Sequence, residues 1–120
     1  MNYESWLERE SQATPGVTFV LAKMSFGRRV ELMRRLREIA QKVEFHEAGD
    51  AREKIEAALL TSEIDWLYVI WGLKDVRGLK LDGEPATPES LAATGPEELF
   101  REAVDAVKAE CGLTEAERKN

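Results

Sequence analysis

The sequence predicts an α+β domain, mainly α, with three to five helices around a central helix and a small two-stranded antiparallel β-ribbon. Three observations carry this. Ala51–Lys74 holds two apolar stripes at helical spacing, so it needs partners on two sides. Only two stretches, Val17–Met24 and Asp75–Asp82, read as strands, and pairing them satisfies their backbone groups. Helix-start signals recur at Ser25, Thr87-Pro88 and Gly95-Pro96.

Taken in order, Asn2–Glu10 reads as a short helix, capped by Asn2 and anchored by Trp6 and Leu7. Ala13-Thr14-Pro15-Gly16 is a turn. Val17–Met24 alternates Val17, Phe19 and Leu21 on one face with Thr18, Val20 and Ala22 on the other. Ser25 caps a long helix, Phe26–Glu47. Its buried face is expected to hold Phe26, Val30, Met33, Leu36, Ala40 and Val43, widened by Leu32 and Ile39. Asp50 caps the central helix. One stripe of that helix is Ile55, Leu59, Trp66, Val69, Ile70 and Leu73, and the other is Leu60, Ile64, Leu67 and Trp71.

Asp75–Asp82 is the second strand, with Gly78 the expected place of a bulge and Asp82-Gly83 a turn. Thr87 and Pro88 open a short helix. Another runs from Pro96 to about Cys111 and buries Leu99, Phe100, Ala103, Val104 and Val107. Gly112 is the expected left-handed residue after it, Leu113 closes the cap, and Thr114–Glu117 has capping-box spacing. One domain, residues 1–120, accounts for the whole sequence, which contains no repeat and no low-complexity linker.

Composition narrows the function. The hydrophobic share of 43% and charged share of 33% are those of a folded soluble protein. No apolar run approaches the ~20 residues that span a bilayer, and the charged N-terminus has no secretory h-region. One cysteine, Cys111, allows no internal disulfide, and one histidine, His46, builds no metal site alone. A reduced, cytoplasmic compartment fits. The net charge of −6 comes entirely from residues 61–120, since residues 1–60 balance ten acids with ten bases. That total argues against a protein that lives on nucleic acid.

No residue set points to catalysis, a cofactor or a metal, so an enzyme is not expected. Helix Phe26–Glu47 carries Arg28, Arg29, Arg34, Arg35, Arg37 and Lys42, which can meet phosphates or an acidic partner; interleaved Glu31, Glu38 and Glu44 cancel most of that field. Trp66 and Trp71 are either core or partner anchors. Asp65 falls on the polar arc of its helix, His46 near a helix C-terminus, and Cys111 reads as a packed hydrophobe. The candidate partner-binding residues are therefore Arg28, Arg29, Arg34, Arg35, Trp66 and Trp71.

The motifs Val76–Gly83 (VRGLKLDG), Ala86–Leu91, Gly95–Leu99, Gly112–Asn120 (GLTEAERKN) and Lys23–Leu32 together resemble small proteins of prophage tail gene clusters. That resemblance implies a non-enzymatic tail assembly chaperone or structural accessory. Such a protein binds a tape-measure protein or tail subunit through apolar helix faces, can form a homo-oligomer, and uses no cofactor. The alternative is a nucleic-acid-associated regulatory module built on the arginine-rich helix. It requires those arginines to share one exposed face.

Overall fold

The computed structural model describes residues 1–112; Leu113 and the Thr114–Glu117 capping-box spacing lie outside the described residues. The elements run β1 (Trp6–Glu10), β2 (Thr18–Ala22), α1 (Phe26–Glu47), α2 (Ala51–Gly72), β3 (Leu73–Arg77), β4 (Lys80–Leu81), β5 (Glu84–Pro85), α3 (Pro88–Thr94) and α4 (Glu97–Cys111). The architecture is α+β and mainly α. Two compact units compose it: Met1–Met24 with Tyr68–Cys111, and the helical segment Ser25–Leu67. Helix α2 belongs to both.

In the first unit, β2 is the central strand of an antiparallel sheet of order β1-β2-β3. The predicted pairing of the two strand stretches is present as β2 against β3, with Phe19 opposite Val76 and Thr18 opposite Arg77. Two expectations are corrected. The ribbon is a three-stranded sheet, and the segment expected as an N-terminal helix supplies its third strand: Trp6 pairs with Ala22 and Glu10 with Thr18. The physical reason lies in β2. Phe19, Val20, Leu21 and Ala22 are all buried, so both faces of the strand are covered. Such a strand needs a hydrogen-bonding neighbour along each edge.

The bulge also moves. Register shifts at Val20/Leu21, where Lys74 is the extra residue on β3. Gly78, expected to mark that bulge, instead turns the chain out of β3 with φ +80°. Asp82 (φ 53°) and Gly83 (φ 85°) then join β4 to β5 as a tight hairpin turn with both central residues left-handed. Arg77 on β3 pairs with Glu8 on β1 across the central strand.

Helix α3 starts as its sequence predicts. The Thr87 hydroxyl accepts from the Ser90 amide (3.0 Å), and the Ser90 hydroxyl accepts from the Thr87 amide (2.8 Å). Helix α4 buries Leu99, Ala103, Val104, Val107 and Cys111, while Phe100 is half-buried. Gly112 is left-handed as expected, with φ +60°. Gly72 at the end of α2 lets that helix approach α4 closely, because a Cβ there would lie 2.4 Å from Val107 Cγ1.

The second unit is two helices joined by the short connection Ala48–Asp50. Ser25 caps α1, its hydroxyl accepting from the Arg28 amide at 3.3 Å. Asp50 caps α2, its carboxylate accepting from the Glu53 amide at 3.1 Å. The covered face of α1 differs from the expected one. Arg29, Leu32, Leu36, Ile39, Val43 and His46 are buried or half-buried, whereas Phe26 and Val30 stand in solvent. Their steps of three and four residues give the period of about 3.5 that keeps one helix against another. On α2 the matching stripe is Glu53, Ala57, Leu60, Ile64 and Leu67, at the same spacing and again buried or half-buried.

Candidate protein-contact surface

The stripes α1 and α2 hide leave two others uncovered. On α2, Ile55, Leu59, Ser62 and Trp66 follow each other at steps of four, three and four residues. Ile55 is 65% exposed, Leu59 56% and Trp66 45%. The sequence assigns these apolar residues to one of two buried stripes, together with Val69, Ile70 and Leu73. The structure buries only the end of that stripe: Val69 and Leu73 are covered, and Ile70 is half-buried. The cause is local. Residues from Tyr68 onward belong to the sheet-bearing unit, where Gly72 comes up against Val107 of α4, while residues 51–67 belong to the helical unit.

On α1, Phe26 (85% exposed) and Val30 precede half-buried Met33 and exposed Arg37, again at steps of four, three and four. Phe45, near the other end of α1, is exposed, and its ring meets the His46 ring edge-on at 5.3 Å. Scattered surface hydrophobics need no explanation, but rows of them at helix-pairing spacing do.

The candidate residues thus separate. Trp66 is on the exposed row, while Trp71 is half-buried in the sheet-bearing unit. Arg28 and Arg29 are half-buried; Arg34, Arg35 and Arg37 are exposed. Arg35 pairs with Glu31 one turn away at 2.8 Å. At 100° per residue, Arg28 and Arg35 fall on one side of α1, and Arg34 and Arg37 lie roughly 140° away. The helix therefore presents divided rather than gathered positive charge. Asp65 and His46 are half-buried, and Cys111 is a buried thiol. The sequence singles out both rows as apolar faces but takes them as buried; the structure leaves Phe26, Val30, Ile55, Leu59 and Trp66 exposed.

In the sheet-bearing unit, the loop after β1 is tied down by a charged contact. The buried Ser11 hydroxyl donates to Glu102 on α4 and accepts from the Thr14 amide at 2.9 Å. The Gln12 amide donates to the other Glu102 oxygen at 2.7 Å, and the Ala13 amide at 3.4 Å. Burial alone would raise the Glu102 pKa. The Ser11 hydroxyl and the two amides outweigh it, so the carboxyl sits below the usual range. A small cleft of about 260 Å³ lies beside this tie, lined by Arg9, Gln12, Phe19, Glu102 and Asp105. The arrangement fastens a loop and leaves the carboxylate occupied.

Its pH dependence has a definite sign. A carboxylate with a lowered folded-state pKa contributes stability that is complete above the unfolded value and is lost as pH falls through the folded one. Glu102→Gln is expected to cost about 1–2 kcal/mol at pH 7, the worth of its charge-assisted hydrogen bonds. It should cost almost nothing at acid pH, where the native carboxyl is itself protonated. Urea unfolding of both proteins at pH 7 and in acid, well below the ordinary carboxylate range, checks this. An equal deficit at both pH values would contradict the assignment.

Among the described residues no helix is long and apolar enough to cross a membrane, and no group of three His, Cys, Asp or Glu side chains is placed to hold a metal ion. No protein-family model, no curated protein and no solved structure matches this chain.

Proposed function

We propose that this chain is a non-enzymatic, cytoplasmic protein of phage-type tail assembly, a chaperone or structural accessory that works by protein–protein contact. The observation that carries the contact reading is the exposed row Ile55, Leu59 and Trp66 on α2. It has the spacing of a helix-pairing stripe and is left in solvent. The tail assignment comes from the resemblance of the cap and turn motifs between Lys23 and Asn120 to prophage tail-cluster proteins. Such a protein holds a long helical tape-measure protein or a tail subunit, and an apolar helix face is the chemistry that receives one. The divided arginines of α1 favour this reading over a nucleic-acid module, which needs gathered positive charge.

The test is co-expression with the tape-measure and tube proteins of a tailed prophage that carries a gene of this sequence, followed by affinity purification. The expected result is co-purification of the tape-measure or tube protein, lost in Ile55→Asp/Leu59→Asp. Failure to retain either protein, while the chain itself is folded and abundant, would overturn the assignment.

A further inference from the structure

Strand β1 ends its sheet, and its outer edge is open. The Ser11 amide donates to the Val17 carbonyl and the Lys23 amide to the Ser5 carbonyl, each at 2.8 Å. Such bonds recur at every second residue of an antiparallel pair. Leu7 and Arg9 therefore bond to β2, and Trp6, Glu8 and Glu10 turn their N–H and C=O groups away from the sheet. Among the described residues no strand lies on that side. All five residues of β1 pair with β2 in unbroken register, so no bulge twists the edge away. Glu8, Arg9 and Glu10 are exposed.

The cleft of about 260 Å³ opens beside this edge, between β1 and α4. Arg9, Glu10 and Phe19 line it from the sheet, Asp105, Ala106 and Ala109 from the helix, and Glu102 and Gln12 complete it. Three carboxylates thus meet one guanidinium. Glu102 is engaged by the Ser11 hydroxyl and the two loop amides, and Glu10 accepts from the Gly16 amide at 3.4 Å. Asp105 is exposed and belongs to no ion pair among the described residues. Glu98, also exposed, continues the same stripe of α4. The bases of α4 face elsewhere. Arg101 and Lys108 lie about a quarter turn round the helix from this stripe, and the Lys108 ammonium stands over the Tyr68 ring at 5.2 Å. The Glu102 tie fixes the loop that follows β1, so the cleft is formed before anything enters it.

We propose that an extended segment of a partner polypeptide adds to β1 as a further strand, with a lysine or arginine side chain of that segment entering the cleft under α4. The outward N–H and C=O groups of Trp6, Glu8 and Glu10 supply the main-chain bonds, and the net negative cleft selects the basic side chain. A second copy of β1 fits less well. The register that pairs all three outward positions sets Glu8 opposite Glu8, and like charges placed so repel. The site lies wholly in the sheet-bearing unit and does not depend on the exposed rows of α1 and α2, so it and the tail-assembly reading can fail separately.

The experiment is fluorescence anisotropy of a labelled peptide, Thr-Val-Thr-Lys-Thr-Val-Thr, titrated with the full chain. The peptide is expected to bind with a Kd below about 1 mM, and its glutamate counterpart at least about fivefold more weakly. Asp105→Lys should reverse that preference. Glu8→Pro removes an outward N–H and leaves the β1–β2 bonds in place, so the chain stays folded by circular dichroism while peptide affinity falls at least about tenfold. Glu8→Ala, which keeps the N–H, should bind as the wild type does. N-methylation of the two threonines that flank the peptide's lysine should abolish binding with no change to the protein at all. No binding up to about 1 mM, equal affinity for the lysine and glutamate peptides, or undiminished binding of the N-methylated peptide would each overturn the proposal. So would a dimer of the free chain that Glu8→Pro dissolves, which would give the edge to a second copy.

Discussion

Gly78→Ala is expected to lower the unfolding free energy by about 3 kcal/mol or more, through two additive effects. Gly78 has φ +80°, where an L side chain costs about 1–2 kcal/mol. A Cβ there would also lie 2.1 Å from the Gly16 carbonyl oxygen, a backbone atom that no rotamer change can move aside. Gly16 precedes β2 and Gly78 follows β3, so relieving the contact means separating the paired ends of two strands. Overpacking of this kind adds about 1–3 kcal/mol. Gly83→Ala is the control. Its φ is +85°, yet nothing lies within 4 Å of its Cβ, so only the backbone term applies. Denaturant midpoints at constant slope should therefore rank wild type, then Gly83→Ala, then Gly78→Ala, with a gap between the alanine variants of about 1 kcal/mol or more. Equal losses in the two variants would mean that the strand ends yield at no cost.

That contact could not be read from the chain, and the contrast with what could be read is instructive. Ser25, Asp50 and Thr87-Pro88 were legible because a cap is a local event. A side-chain oxygen meets an amide three residues on, and the sequence contains both partners. The Asp82-Gly83 turn is legible for the same reason. Strand β1 was not. Its residues, Trp-Leu-Glu-Arg-Glu, include good helix formers, and what makes them a strand is the edge of β2, eight to sixteen residues away. The clue was in β2 itself: Val17–Ala22 is apolar on both faces, as a central strand is, and a central strand has two neighbours. The Ser11–Glu102 tie spans 91 residues and has no sequence signature.

The contact surface was half legible. Two apolar stripes on α2 are visible in the sequence, but periodicity does not say which one is covered. On α1, Phe26 and Val30 fit the helical period as well as Leu32 and Leu36 do. The structure covers Leu32, Leu36, Ile39 and Val43 and leaves Phe26 and Val30 exposed, a choice that helical period alone does not make. Trp66 was singled out and stands on the exposed row. The arginines were singled out by number, and number carries no information about direction around the helix.

Leu32→Ala and Leu59→Ala separate the covered stripe from the exposed one. Leu32 is fully buried, with 0% exposure. Truncating it removes about 2–5 kcal/mol, the transfer free energy of the lost methyl groups plus the cavity they leave. That loss belongs to the folding of one chain and is expected at every protein concentration. Leu59 is mostly in solvent, so Leu59→Ala should change the unfolding free energy of the isolated chain by no more than about 0.5 kcal/mol. Urea unfolding of both variants at about 1 μM reads the difference. Leu32→Ala should show the full deficit and Leu59→Ala almost none. A large Leu59→Ala deficit would place Leu59 in the folded core. The two leucines are alike in size and helical setting. What divides them is which of the apolar rows the fold covers.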